Sequence, residues 1–283
     1  MSWQLLTLIS VLSLSVAIIL QRVLLHKNKI DPFAYAVIFQ GIVGVLLMVA
    51  ALGAGFKLPG IETMIVPAIL SIVLFGIGHI VYAKTLQKVE ASAFSILFAT
   101  QTIWIMILGI ALLQESLTIL QVLGTVLIFL SVGLLVKKIG TVFQEKGVWL
   151  GLLTGLLFGI ATAAWSYVGR YTDTLSWAAI SFVVTALVTF LVRPKSIKKI
   201  KPLLKSKVLL TLIVLAVFYG IGSLAMLYAY KEGTFALVSP LRQTGIIVTV
   251  LLALVFLPTE RNRIGRKILA ALICTIGVVL IVL

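Results

Sequence analysis

Ten apolar runs divide this chain almost end to end, and most are long enough to cross a lipid bilayer. They fall at about residues 3–25, 33–55, 63–83, 91–113, 118–136, 148–170, 175–192, 208–229, 234–256 and 268–283. A helix needs about 20 apolar residues to span the hydrocarbon core. Within that core the backbone must satisfy its own hydrogen bonds, which leaves only helices and closed barrels. The runs lack the alternation of barrel strands and are too long for them. The short separators Gln114–Leu117 and Tyr171–Thr174 hold polar residues that suit tight helix–helix turns. Only 11% of the residues are charged, against about a quarter in a soluble domain. Lipid must therefore be the solvent. The expected fold class is all-α integral membrane with ten transmembrane helices, leaving no room for a separate soluble domain. The first run, Trp3 to Leu25, has no basic residue before it and is too long for a signal-peptide core, so it is read as a retained span.

The net charge of +15 reports orientation. Of 23 Lys and Arg residues, 19 lie in the odd-numbered loops and their flanks, three in the even-numbered loops, and Arg242 lies within a span. Basic loops stay cytoplasmic, so both termini are expected outside the cytoplasm, in a multi-pass protein of the plasma membrane. The loop Arg193–Lys207 contributes seven of the 19 and reads as a solvated cytoplasmic turn. With the charges placed this way, nucleic acid is not an expected partner; the bilayer and a small-molecule substrate are, and a homodimer is compatible with the pattern. Cys274 is the only cysteine, which excludes an intramolecular disulfide and a cysteine metal cluster.

The chain repeats itself. Phe75-Gly76-Ile77-Gly78 recurs as Tyr219-Gly220-Ile221-Gly222, 144 residues on. Tyr82-Ala83-Lys84 recurs loosely as Tyr228-Ala229-Tyr230-Lys231. Glu115 matches Glu260, Gly133 matches Gly277, and Arg22 matches Arg170. A tandem duplication follows, with halves 1–137 and 148–283. Five spans per half is an odd number, so the second half must enter the membrane inverted. Inverted repeats around a midplane site are a recurrent transporter architecture.

The ends of both halves carry a resemblance. The first runs YAKTLQKVEASAFSILF and then LLQESLTILQVLGTVLIFLSVGLLV, from Tyr82 to Val136; the second runs from Tyr228 to Ile281. Both have a Tyr-Ala turn, small residues opening a helix, a Glu at that helix's end and a Gly-containing last helix. Together with the Trp165 region, this resembles the drug/metabolite transporter superfamily, specifically its EamA-type ten-helix members. Two features depart from that pattern. Leu12 to Leu20 lacks a Trp, and Ser92 to Leu113 lacks a Pro, so only span nine keeps its Pro, Pro240. The first half is therefore expected to contribute less than the second to a site built on broken helices.

Arg242 is the sharpest functional signal. It lies about 12 Å along its helix, where a charge is costly and usually faces a cavity or a partner. No Asp or Glu sits mid-span. Carbonyls freed by Pro240 or an anionic group on a substrate could each meet it. His79 is the only histidine within a span and reads either as a proton-coupling or substrate group or as an interhelical hydrogen bond. The amides Gln40, Gln101 and Gln243 could read a polar substrate or bridge helices. Trp104, Trp165, Tyr82, Tyr219 and Tyr228 could together cage an amphipathic or cationic ligand, or pack singly. The substrate-binding candidates are thus His79, Tyr82, Gln101, Trp104, Trp165, Tyr219, Arg242 and Gln243. Gly151, Gly155 and Gly159 form a stripe that lets another backbone approach, and Glu115 and Glu260 suit helix capping.

Catalytic and nucleotide-binding motifs are absent from the sequence: there is no HExxH, no Walker loop and no dinucleotide fingerprint. No enzyme activity, cofactor or metal is expected. The expectation is a secondary-active or facilitative transporter of small organic metabolites working by alternating access, as an exporter of amino acids or related compounds. Import or exchange of nucleosides, bases or quaternary amines is the alternative within transport; a non-transporting scaffold or receptor is the alternative outside it.

Overall fold

The computed structural model describes residues 1–28, 30–105, 107, 118–135, 146–233, 238, 241–242, 244–257 and 264–282. Its helices are α1 (Trp3–Asn28), α2 (Pro32–Gly53), α3 (Ile65–Lys88), α4 (Ala91–Phe98), α5 (Ile119–Leu135), α6 (Lys146–Tyr171), α7 (Thr174–Val192), α8 (Ser206–Glu232), α9 (Gly245–Phe256) and α10 (Ile264–Val282). Among the described residues there is no strand. Six helices, α1 to α3 and α6 to α8, are long and apolar enough to cross a membrane, and α4 and α9 belong to shorter apolar helices.

Polarity is distributed for a lipid solvent. On α3, Val66, Ile69, Val73 and Ile77 are exposed at helical spacing, whereas Ser71, His79 and Thr85 of the same helix are buried. Aliphatic side chains need no partner in hydrocarbon, whereas polar ones bond to their own helix, as Ser71 Oγ does to Ala68 O at 2.8 Å, or to another, as His79 Nε2 does with the Tyr219 hydroxyl at 3.2 Å.

The helix ends are built from matched residues. Asp31 caps α2 by accepting from the backbone N–H groups of Phe33 and Ala34 at 3.1 and 3.2 Å, with Pro32 opening the first turn. Asp173, 142 residues on, caps α7 by accepting from Ser176 N–H at 2.9 Å. At the opposite ends of helices, Arg22 donates to the Leu86 carbonyl at 2.5 Å. Arg170 donates to the Tyr230 and Gly233 carbonyls at 2.8 and 3.2 Å. Each arginine thus covers carbonyls at the C-terminal end of the third helix of its own half, which have no intrahelical partner and carry the negative end of the helix dipole. Glu90, just before α4, pairs with the buried Lys267 of α10. Glu115 and Glu260 lie outside the described residues.

Packing between the halves follows an exchange rule. The most extensive pairings are α5 with α10, α2 with α7, α3 with α6, and α1 with α8. Swapping α1–α5 for α6–α10 returns the same set. The glycines repeat it helix by helix. A Cβ on Gly76 would meet Thr185 and Thr189 of α7, and one on Gly220 would meet Val43 and Leu47 of α2. Gly78 faces Leu157 and Phe158 on α6, while Gly222 faces Ser13 and Leu14 on α1.

Both central short helices are interrupted. After α4 the chain turns at residues 99–100 and resumes as helix over 101–105. A second turn at Thr244 precedes α9. At each turn a threonine bonds back to its own chain: Thr100 Oγ1 donates to Leu97 O at 2.7 Å, and Thr244 Oγ1 to Leu241 O at 2.6 Å. Such local bonds compete with the helical ladder. The turn after α4 thus lies in a segment without a proline. Pro240 itself lies outside the described residues.

The small stripe on α6 serves this turn. A Cβ on Gly155 would stand 3.2 Å from Gln101 N, and one on Gly159 would stand 2.8 Å from Gln101 O. Gly159→Ala is therefore expected to lower stability by about 1–3 kcal/mol through overpacking against backbone, measured by thermal unfolding in detergent. Gly53→Ala, with nothing within 4 Å, should leave the transition unchanged or slightly raised. The caps predict a pH effect. The Ser176 bonds outweigh burial and hold the Asp173 carboxyl below its ordinary value of 3.8. Asp173→Ala should cost about 1 kcal/mol at neutral pH. A depressed folded value stabilises above the unfolded one, so the gap between variant and wild type should persist above about pH 4 and close as the pH falls through the lower folded value.

Candidate functional site

Eight helical segments surround one cavity at the mid-length of the long helices. Its interior admits the centre of a water molecule over about 100 Å³. The first half supplies Ser15 and Ile18 from α1, Gln40 from α2, Phe75, His79 and Tyr82 from α3, and Ser95, Phe98 and Gln101 from the interrupted α4 segment. The second supplies Phe158, Thr162 and Trp165 from α6, Ser181, Phe182 and Thr185 from α7, Tyr219, Ser223 and Met226 from α8, and Arg242, Gly245, Ile246 and Thr249 around the start of α9. On α3 and α8 the lining residues stand in register: 75, 79 and 82 against 219, 223 and 226, at the spacing of one helix face. Helices α5 and α10 contribute nothing to the described lining and pack on each other.

His79 bridges the halves. Its Nδ1 lies 2.8 Å from the Phe75 carbonyl, and its Nε2 lies 3.2 Å from the Tyr219 hydroxyl. A carbonyl can only accept, so Nδ1 carries the proton. In the neutral ring Nε2 is then the acceptor, and Tyr219 donates to it. A second proton on His79 would force the Tyr219 hydroxyl to turn from donor to acceptor.

The wall around this pair is aromatic. Phe75 meets Phe158 and Trp165 edge-on at 5.4 and 5.9 Å, Phe98 meets Phe158 at 5.1 Å, and Phe182 meets Tyr219 at 6.0 Å. Trp165 is fixed by its Nε1–H, which donates to Ser181 Oγ at 2.8 Å, and by its carbonyl, which accepts from Trp177 Nε1–H at 3.0 Å. Polar capacity is left over. Both ends of the Gln40 amide, Gln101 Oε1 and Thr249 Oγ1 are buried with no partner among the described residues.

Of the residues singled out from sequence, His79, Tyr82, Gln101, Trp165, Tyr219 and Arg242 line the cavity. Trp104 packs over Gly159 of α6 and is not in the lining; Gln243 lies outside the described residues. Sequence reasoning passed over Phe75, Phe158, Phe182, Ser181 and Thr185. A signal for Phe75 was present, because it is the match of Tyr219 in the Gly-Ile-Gly repeat. Phe158 and Phe182 sit in runs of apolar residues where nothing marks which one faces inward.

Comparison with known proteins decides the family. The family model of EamA-like transporters matches residues 1–137 and again 145–283. The chain belongs to the EamA-like transporter family. A multi-pass membrane protein of a family of transporters is accordingly the setting for the cavity. One relative of this EamA-like chain is the uncharacterized protein MJ1333.1 of Methanocaldococcus jannaschii, 29% identical over 139 residues that cover 49% of this chain and 97% of that protein. Among solved structures, one crystal structure has the same fold at a TM-score of 0.61 and 14% identity, covering 98% of this chain and 95% of the other.

The bridge yields a double-mutant test. Tyr219→Phe should cost about 1–2 kcal/mol, because it leaves His79 Nε2 buried without its donor. His79→Gln should cost a comparable amount. The double variant should fall short of the sum by about 1 kcal/mol, read by thermal unfolding in detergent. Full additivity would mean that the two side chains do not interact.

Proposed function

We propose that this EamA-like chain is a secondary-active or facilitative carrier of small organic metabolites that works by alternating access. Amino acids or related compounds are its cargo, and export is its direction. The observation that carries the reading is the cavity itself. Both halves build it from corresponding helices, it lies beside an interruption in each half, and it keeps unpartnered amide and hydroxyl groups beside an aromatic wall. Interrupted helices beside a midplane cavity are a recurrent way to hold a solute in a membrane. Aromatic walls with a few convergent polar groups suit a solute with a polar head and an apolar body.

In this reading the chain is two five-helix repeats, 1–137 and 148–283, inserted in opposite senses and related by an axis in the membrane plane. The exchange of contacts between halves supports it. So does the relative from Methanocaldococcus jannaschii, nearly all of which is matched by half of this chain. Near-equal halves give two conformations of similar free energy, with the cavity open to opposite sides. Both termini lie outside the cytoplasm of the plasma membrane, as the basic loops require. His79 sets the pH response, since no carboxylate lies mid-span.

Counterflow in proteoliposomes tests the function. Preloaded unlabelled amino acid should drive transient uptake of labelled amino acid; a scaffold or receptor gives none. His79→Gln should exchange substrate at a rate that no longer changes with pH, whereas a pH-dependent rate that survives the substitution assigns coupling elsewhere. Orientation is tested with a cysteine at the exposed Lys195 in a Cys274→Ala background. It should resist an impermeant thiol reagent in whole cells and react once the cells are opened.

A further inference from the structure

The cavity carries a fixed charge of one sign. Arg242 lines it, and the described lining residues include no Asp or Glu. None is within reach along the spans either. All eight acidic residues, Asp31, Glu62, Glu90, Glu115, Glu145, Asp173, Glu232 and Glu260, fall between apolar runs or at their ends. His79, the other ionisable group of basic type in the wall, is neutral when Phe75 accepts and Tyr219 donates, and a second proton would only add positive charge. The first turn of α9 adds to this field, because Gly245, Ile246 and Thr249 also line the cavity and a helix start carries the positive end of its dipole.

Two of the unpartnered side chains can donate to an anion, the Gln40 amide through its Nε2 and Thr249 through its hydroxyl, beside the acceptors Gln40 Oε1 and Gln101 Oε1. The Gln40 amide is 0% exposed and the Thr249 hydroxyl 1%, and neither has a hydrogen-bond partner among the described residues. Each has a proton to donate. A guanidinium offers a fork of N–H donors that fits two carboxylate oxygens. Two further donors would meet the lone pairs left over. A buried donor without an acceptor is costly, so these groups mark where an acceptor arrives. The ring wall of Phe75, Phe158 and Trp165 bounds the same space with apolar surface.

We propose that Arg242, with Gln40 and Thr249, forms a carboxylate subsite, so that the substrates of this carrier are organic carboxylates recognised through that group, with an amine neither required nor sufficient. The inference rests on the transport reading of the same cavity. It sets aside quaternary amines and other cations, whose charge Arg242 repels and no lining carboxylate balances. A carboxylate neutralises the arginine instead, so the closed, loaded cavity holds a paired rather than a lone buried charge.

The test uses the purified full chain and a panel of matched probes. Acetate, butyrate, phenylalanine and 3-phenylpropionate are each set beside the amide and the amine of the same body, and thermal stabilisation is read. At least one carboxylate should raise the wild-type Tm by a few degrees, as about a hundredfold excess over Kd does, while its amide and amine do not. Arg242→Gln should weaken that carboxylate about ten- to a hundredfold. Thr249→Val should weaken it severalfold and leave the fold intact, which carries the test if Arg242→Gln yields no folded protein. Failure of every carboxylate in the panel, stabilisation by an amine or amide equal to that of its carboxylate, or carboxylate binding unchanged in the variants overturns the subsite. Counterflow of the binding carboxylate in wild-type proteoliposomes separates the two readings: stabilisation without counterflow overturns transport and leaves the subsite standing.

Discussion

Every backbone group of this protein that leaves a helical ladder inside the apolar layer must find a partner in the protein, and that constraint accounts for most of its polar side chains. Helix ends are covered by Asp31 and Asp173 at starts and by Arg22 and Arg170 over terminal carbonyls. The two interruptions, at Thr100 and Thr244, are covered by the threonine hydroxyls themselves. Ser15 of α1 adds a bond to the Gly245 carbonyl at 3.2 Å. An unsatisfied group at any of these points would cost several kcal/mol in hydrocarbon. Among the groups left without a partner in the described residues, the Gln40 amide, Gln101 Oε1 and Thr249 Oγ1 belong to the cavity lining.

The cavity depends on close approach elsewhere. Gly155 and Gly159 let α6 lie against the turn that follows α4, which sets Gln101 at the wall. Gly78 and Gly222 admit Phe158 and Leu14, both lining residues, against α3 and α8. Removing four side chains from the helix contacts therefore determines where the aromatic and aliphatic ones point. α5 and α10 sit apart from this arrangement. Their mutual contact, with Gly277 against the Gly124 carbonyl, holds the periphery while the other helices enclose the solute space.

Much of the fold was legible from residues alone because lipid imposes a simple rule on them. Long apolar runs become helices, and six of the described helices are long and apolar enough to span. The Gly-Ile-Gly match at 144 residues falls at helix contacts, where Gly76 faces Thr185 and Thr189 of α7 and Gly220 faces Val43 and Leu47 of α2. The aspartate caps and the threonine turns repeat at 142 and 144 residues as well, yet they went unread. A lone Asp or Thr looks like loop or filler until its hydrogen bonds are known. Span four carries no proline, yet the chain turns there at residues 99–100, beside the Thr100 bond to Leu97 O.

What the sequence determined by itself is the solvent of this protein, its helical class and its family, since each rests on composition or on residue patterns that need no partner to be recognised. It also brought forward His79, Trp165, Tyr219 and Arg242, because polar or bulky groups in an apolar run are conspicuous. Only the tertiary structure decided which of them share a space. Trp104 turned to pack over Gly159, whereas Phe75, Phe158 and Phe182, with no polar atom to betray them, became the wall. The meeting of His79 with Tyr219 was likewise beyond reach. It depends on which atoms of distant helices meet, and a helix's own periodicity specifies its face without naming the neighbour that will cover it.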